Sequence, residues 1–483
     1  MSKSLSVGRM LTATAIAAFA ALWLPGTAVA QDNLVGVVQE ALATNPELGA
    51  IRFNRKAINH ELTAARGLQL PTLDVKVDQG RHRDYNRSSI GVVTGGDTHW
   101  HTEVQGVATQ RLFDGFESRH EIDRQRNRVE SARWRVMDTA NAIALRAVQA
   151  YLEVQRASAV LATAKANYAS HRALLARVGG RVEGGRAPSS DLSEARSRTA
   201  QAEALLVEAE GRLRDADSMF RAVVGRAPGA LQPAGLPATG APPNVEVAVA
   251  EAVAFAPSAL ATAHDHIAAE AALGSAYARL MPRVNLEVSS THGWNGVTDG
   301  DRDIDVRAMV VVRWNLLNGG IDKARIWEAK SRSLEAAEIS ANARRIIERE
   351  TRASWNAIQT ATGRVPLLRR QAEQIRATRA AYNAQFDAGS RRLLDLLNVQ
   401  SELFVADAAL RTEEFVRLYN AYRLLAAMGR LVPALGLEAP PEAVLPPAPT
   451  VIDGWRDGWA TSGNDIDYHR RDRGTGHGAA PAK

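Results

Sequence analysis

Few side chains in this 483-residue chain have the type and spacing that chemistry needs. His99 and His101 flank Trp100 and, at alternate positions of a strand, would point the same way and could share a metal ion. No third ligand stands nearby, and Trp100 fits an interfacial aromatic belt better. His264 and His266 are two apart in a helical stretch and point in different directions. Asp191, followed by Glu194 and preceded by Pro188, has the spacing of a helix capping box. Asp395 stands in the first turn of a helical stretch, where a carboxylate faces the positive end of the helix dipole. Gly184, Gly185 and Gly389 suit tight turns between helices. There is no glycine-rich phosphate loop, nucleophile elbow or metalloprotease histidine pair. The absence of cysteine rules out disulfides, zinc–thiolate sites and a cysteine nucleophile. These observations predict a protein that is not an enzyme and needs no cofactor.

The elements that carry these residues are long and mostly polar. One stretch, 10–24, is strongly apolar, with Lys3 and Arg9 before it and Ala28-Val29-Ala30 after it, the arrangement of a secretory signal over 1–30. Beyond it no run of about 18 apolar residues occurs, so crossing a bilayer would require β-strands. The formal charge of +6 comes from arginines scattered among acids along helical segments, which argues against a nucleic-acid partner.

The chain is also written twice. Leu112-Phe113-Asp114-Gly115 aligns with Leu316-Leu317-Asn318-Gly319, Tyr151 with Trp355, Gly185 with Gly389, and Val224-Gly225-Arg226 with Met428-Gly429-Arg430, all at an offset of 204. Upstream, Asn45-Pro46 aligns with Ala256-Pro257 and Leu70-Pro71 with Met281-Pro282, at 211. The seven-residue difference falls in the intervening hairpin, where the first half carries the loop-like 86–89 and Gly95-Gly96. The first repeat spans 31–226, with a hairpin at about 71–113; the second spans 246–432, with a hairpin at about 282–317.

Each repeat reads as helix, strand pair, long helix, turn, long helix. The first helix runs over 34–69 and stops at Pro71. Leu73, Val75 and Val77 share one strand face; Ile304, Val306, Ala308, Val310, Val312 and Trp314 share another, opposite Asp305, Arg307, Arg313 and Asn315. After the Asp/Asn-Gly turns the pattern is helical for about 65 residues, or about 100 Å at 1.5 Å per residue. The return helices show heptad spacing at Leu396, Val399, Leu403, Ala406 and Leu410, matched by Leu192, Ala195, Thr199, Ala202 and Leu206. Pro366 predicts a kink or local break in the second long helix. The proline-rich linker 227–245 and the tail 433–483, with Trp455 and Trp459, are expected to lack a fixed fold. Four strands cannot close a barrel, so strands placed in lipid demand self-association.

The run from Phe386 to Gln400, the Gly184-Gly185 to Asp191-Leu192 turn and the two Asn/Asp-Gly turns resemble the TolC outer-membrane efflux family, over nearly all of the chain from the signal to about Val432. The resemblance implies a mainly α fold with membrane β: a homotrimer whose twelve-stranded β-barrel continues as a periplasmic α-helical barrel. It implies a periplasmic adaptor and an inner-membrane transporter, of the ABC type, as partners, together with outer-membrane lipid. The Leu393–Gln400 run and the Glu183-Gly184-Gly185-Arg186 turn are similar to members that serve type I secretion of large adhesins; drug efflux is the alternative.

By the same resemblance the tip turns, 178–190 and 388–392, close the tunnel. Asp395 matches a pore-constriction ring, and Asn398 stands where relatives carry a second acidic ring. Ser190, Asp191, Phe386 and Arg391 match a gate latch whose ionic part would be Arg391 to Asp191, with Phe386 replacing a tyrosine. Gly184, Gly185, Arg186, Gly389 and Ser390 match adaptor-docking tips, with Arg181 and Arg392 adding charge beside them. A periplasmic coiled-coil scaffold or adaptor would also show long heptads and a signal. An adaptor, however, should have one hairpin and a lipoyl-like domain, whereas this chain has two equal hairpins and duplicated strands.

Overall fold

The computed structural model describes residues 32–87, 93–237, 242–294 and 302–444; the signal segment and the tail beyond 444 lie outside it. The first repeat contains α1 (Leu34–Thr44), α2 (Pro46–Gly67), β1 (Thr72–Arg87), β2 (Val93–Phe113), α3 (Glu117–Glu183) and α4 (Ser189–Val224). The second contains α5 (Val245–Phe255), α6 (Pro257–Ala278), β3 (Arg283–Trp294), β4 (Arg302–Arg313), α7 (Ile321–Asp387) and α8 (Leu393–Ala427), followed by the short α9 (Leu431–Ala434). The duplication is therefore structural, and each half has one 67-residue rod.

The expected single helix over 34–69 is two helices. Asn45 ends α1 with an extended backbone, and its side chain accepts from the Glu47 amide while Pro46 occupies the first turn of α2. Proline is tolerated there because that N–H has no intrahelical partner anyway. No break occurs at Pro366: α7 is continuous through it. Neighbouring helices pack on the rod there, with Ala361 and Val365 buried in the turn before Pro366. The strands extend further than the loop-like residues suggested, since β1 includes Asn86-Arg87 and β2 includes Gly95-Gly96.

The heptad positions Leu396, Val399, Leu403, Ala406 and Leu410 are all buried, as are Ala195, Thr199 and Ala202 on α4. Among them sits a buried polar pair, Gln400 donating to Asn167 at 3.3 Å. Such pairs fix register in helical bundles, since a slipped arrangement would leave both amides unsatisfied.

The segments expected to lack a fixed fold are partly straps. Residues 227–237 run beside the N-terminal Asp32, whose amide donates to Ala230 O at 2.9 Å and whose carbonyl accepts from Gln232 N at 3.0 Å. Arg226 reaches Asp32 (2.8 Å) and Glu40 (2.9 Å). The buried Tyr151 hydroxyl donates to Gln232 O at 2.6 Å, and Tyr422 donates to Gly235 O at 2.9 Å. Residues 433–444 are held likewise: Arg133 donates to Ala443 O at 2.6 Å, and Glu442 pairs with Arg52 at 3.3 Å. Proline-rich composition weakens helix and sheet, yet these chains borrow side-chain donors from the rods.

No single described helix is long and apolar enough to cross a membrane. The bent pair α5 and α6 passes by length and composition, but α6 packs between α3 and α7.

Candidate functional site

Two regions carry the residues singled out above: the sheet and the helical tip at the far end of the rods. The sheet is an antiparallel meander, β1-β2-β3-β4, with open edges at β1 and β4. Its register aligns Leu73, Ala108, Val288 and Ala308 in one row, and Val77, Val104, His292 and Ile304 in another. Since side chains alternate with a period of two, these rows share a face with Val75, Gly106, Val306 and Val310. The other face carries Asp74, Lys76, Asp78, Gln105, Glu103, Asp305 and Arg307 in aligned rows. The apolar face has no partner among the described residues, as Val306 at 68% and Val310 at 62% exposure show. Exposed tryptophans mark its two ends, Trp314 beside the helices and Trp100 and Trp294 beyond the band. Twelve residues in β4 extend about 40 Å along the strand and about 30 Å when tilted by about 40°, the height of a lipid-facing band.

Among the described residues no group of three potential metal ligands is gathered. His101 lies 3.6 Å from Glu103, and Trp100 lies under Arg81 at 5.7 Å; the side chain of His99 lies outside the described residues. His264 is spent on Asn127 of α3, 3.1 Å from Nδ1.

At the tip, α3 and α7 end alike. Arg186 N donates to Arg181 O (2.7 Å) and Gly185 N to Val182 O (3.0 Å); Ser390 N donates to Gln385 O (2.9 Å) and Gly389 N to Phe386 O (3.0 Å). These are two Schellman turns. Each needs a left-handed residue, supplied by Gly185 (φ +68) and Gly389 (φ +77), both facing open space. Gly184 has ordinary backbone angles and is not required by the turn.

The two hairpins are joined by contacts that the sequence did not announce. Arg177 donates to Asp387 (3.1 Å) and Asn383 (3.1 Å), and Arg181 donates to Phe386 O (3.1 Å) and Asp387 O (3.4 Å). Two α3 arginines thus clamp the last turn of α7, satisfying carbonyls at its negative end. Arg181, expected as docking charge, also covers the Phe386 ring at 4.2 Å. Phe386, at 5% exposure, is a core residue packed with Val178, Leu393 and Leu396. An arginine pair one turn apart was a visible signal; its partner across the bundle was not.

The anticipated ionic latch does not form within the chain. Arg391 pairs with Asp395 at 3.1 Å and stacks on Tyr382 at 3.7 Å, and Asp191 is not its partner. The capping box is likewise absent. Helix α4 begins three residues earlier than a cap at Asp191 would place it, with Pro188 at the cap and Ser190 exposed in the first turn, and Glu194 pairs with Arg198 at 3.0 Å. Arg198 also reaches Asn398 on α8 at 3.4 Å, so Asn398 links two helices. Arg186, Ser190 and Ser390 remain exposed at the tip.

The sheet has one lipid-type face, is open at both edges and is continued by paired rods about 100 Å long, so only several copies together could close it into a barrel. Comparison with known proteins agrees. The model of the outer membrane efflux protein family matches residues 37–226 and 248–430. The chain is 25% identical over 428 residues to the outer membrane efflux protein BepC of Brucella suis, covering 86% of this chain and 89% of that one. It is 22% identical over 420 residues to the outer membrane protein TolC of Vibrio cholerae, covering 85% and 94%. In fold it is similar to the Campylobacter jejuni outer membrane channel CmeC (TM-score 0.74, 14% identity, 83% of this chain and 87% of that one) and to CusC (TM-score 0.73, 15% identity, 83% and 92%). TolC-like channels are trimers that work with an adaptor and an inner-membrane transporter, and they are not enzymes. This chain belongs to the outer membrane efflux protein family, as a TolC-type channel subunit of the outer membrane.

Proposed function

We propose that this channel serves type I secretion, passing large proteins such as adhesins outward in concert with an ABC-type inner-membrane transporter. The observation that carries this reading is the α8 start, Leu393-Leu394-Asp395-Leu396-Leu397-Asn398-Val399-Gln400, together with the Glu183-Gly184-Gly185-Arg186 turn, which is similar to adhesin-exporting members. The chain has no nucleotide-binding motif, so the driving energy belongs to the partner.

In this reading the apolar band contacts outer-membrane lipid, and the Gly184, Gly185, Arg186, Gly389 and Ser390 turns receive the adaptor. The Asp395 carboxylates of three subunits converge on the pore axis, where like charges draw in cations. Asn398 contributes no charge there, so the ring is single. Ser190 and Asp191 lie beside the moving turn, and Phe386 anchors it to the core.

A second reading, a duct for small-molecule efflux, is favoured by the similarity to the Brucella suis outer membrane efflux protein BepC. Deleting the gene in its host separates the two. Loss of a large secreted surface protein without new drug sensitivity supports secretion. Broad drug sensitivity with normal secretion supports efflux and contradicts the first reading.

A further inference from the structure

Phe116, immediately before α3, has a left-handed backbone (φ +70), and among the described residues it is the only non-glycine with a positive φ. A large side chain is strained there, and such strain persists only where something offsets it. The turn itself does not ask for phenylalanine, since the repeat-equivalent residue before α7 is Gly320, at φ +81. Packing inside the chain does not offset the strain either. Phe116 is 57% exposed, and its ring meets edge-on, at 5.6 Å, that of Phe113, itself 36% exposed. Nor can a copy joining at the open sheet edges cover it, because β2 is an inner strand flanked by β1 and β3 of the same chain.

The register shows which side the aromatic pair takes. Arg111 pairs with Asn285 but Phe113 with Val284, so Leu112 is the extra residue of a β-bulge, and Phe113 returns to the face of Val284 and Val288. Strands β3 and β4 pair without such a shift. The bulge thus turns Phe113, and with it Phe116, toward the apolar face at the end next to the helices. The two rings wall a cavity of about 400 Å³, lined also by Leu112, Gln69, Arg111 and Arg119. Arg111 is held by Asp114 at 3.3 Å and Ser118 at 2.9 Å. Arg119 is exposed and has no ion-pair partner among the described residues. Exposed aromatics beside an unpaired cation, where an apolar band ends, suit a molecule with an anionic head and apolar tails. We propose that this cleft binds a glycerophospholipid of the periplasmic leaflet of the outer membrane, its phosphate on Arg119 and its acyl chains against Phe113 and Phe116. The lipid contact offsets the strain at Phe116. The second repeat has Leu317 and Lys323 at the matching positions but Gly320 in place of the second aromatic, so each chain holds one such site. This rests on the reading that the apolar band contacts outer-membrane lipid.

The full-length trimer is reconstituted in vesicles of phosphatidylethanolamine and phosphatidylglycerol, extracted in detergent and weighed by native mass spectrometry. The expected result is one phospholipid retained per chain by the wild type and its loss in both Phe116→Gly and Arg119→Gln. Phe116→Gly should at the same time melt no lower than the wild type, because glycine removes the strain. Lower melting with the lipid retained would give Phe116 a purely structural role and overturn the proposal. Retention of the lipid by either variant would also overturn it, since the lipid would then sit elsewhere on the band. Binding of soluble glycerol 3-phosphate as tightly as of the phospholipid would show a site for a free anion and contradict the lipid assignment. A wild type that inserts into the vesicles yet emerges without phospholipid would overturn this site alone. One that does not insert at all would overturn the band reading beneath it.

Discussion

Arg391 and Asp395, one helical turn apart at the start of α8, form an ion pair at 3.1 Å beneath which the Tyr382 ring lies 3.7 Å from the guanidinium. The acid proposed for the pore is therefore already partnered, and its field at the axis is the difference of two charges. Asp395→Asn should reduce cation preference and block by multivalent cations in planar bilayers, whereas Arg391→Ala should increase both. If Asp395→Asn changes neither, the carboxylate does not face the pore. Because the pair is partly exposed, either substitution should cost about 1 kcal/mol of stability or less.

Gly185 and Gly389 are demanded by backbone angle alone, since nothing lies near the missing Cβ of either. Alanine at each should cost about 1–2 kcal/mol through left-handed strain. The cost should appear as faster amide exchange at Arg186 or Ser390, with the rods unaffected. Gly184→Ala, with ordinary φ and a Cβ that would lie 3.3 Å from Gly180 O, should cost less than alanine at either Gly185 or Gly389.

The approach of His120 to Gly274 predicts a packing effect of the opposite kind. A Cβ at 274 would overlap the imidazole, so Gly274→Ala should destabilise the trimer by about 1–3 kcal/mol. Adding His120→Ala should recover most of that loss. A double-mutant cycle showing simple additivity would mean that α3 and α6 do not meet there.

The strap of residues 227–237 carries a pH signature. Hydrogen bonding from Arg226 holds the Asp32 carboxyl below its usual value of 3.8. A depressed acid contributes stability above its unfolded value and loses that contribution as pH falls through the folded one. Amides of 227–237 should thus stay protected from neutral pH down to about 4 and exchange faster only in stronger acid. Asp32→Asn should bring that faster exchange to neutral pH. Burial and the neighbouring Asp32 push the Tyr151 hydroxyl up to about 12, so it remains a donor throughout. Tyr151→Phe should cost about 1 kcal/mol by removing its bond to Gln232 O.

The parts of this molecule legible in sequence were those with a period. The heptads at Leu396 to Leu410, the alternation at Ile304 to Val312 and the 204-residue offset each repeat a physical constraint many times, so local irregularities do not erase them. Single events were read less well. Asn45-Pro46 divides a helical pattern because Asn45 both ends one helix and caps the next, while Pro366 leaves α7 whole because packing around it outweighs one lost hydrogen bond. The tip was half legible. Gly185 and Gly389 announced the turns, but the partners of Arg177, Arg181 and Arg391 depend on how hairpins lie side by side. Side-chain choice among several nearby acids is a tertiary outcome that spacing along one helix does not determine.

The central claim, that copies of this chain jointly form a conducting tube, is tested most directly by reconstituting the purified protein in planar lipid bilayers and recording single-channel currents. The account predicts discrete, small, cation-preferring steps from the trimer, growing larger when the tip turns 178–190 and 388–392 are loosened. A correctly assembled trimer that inserts into the bilayer yet passes no ions, with the tips intact or loosened, would contradict it.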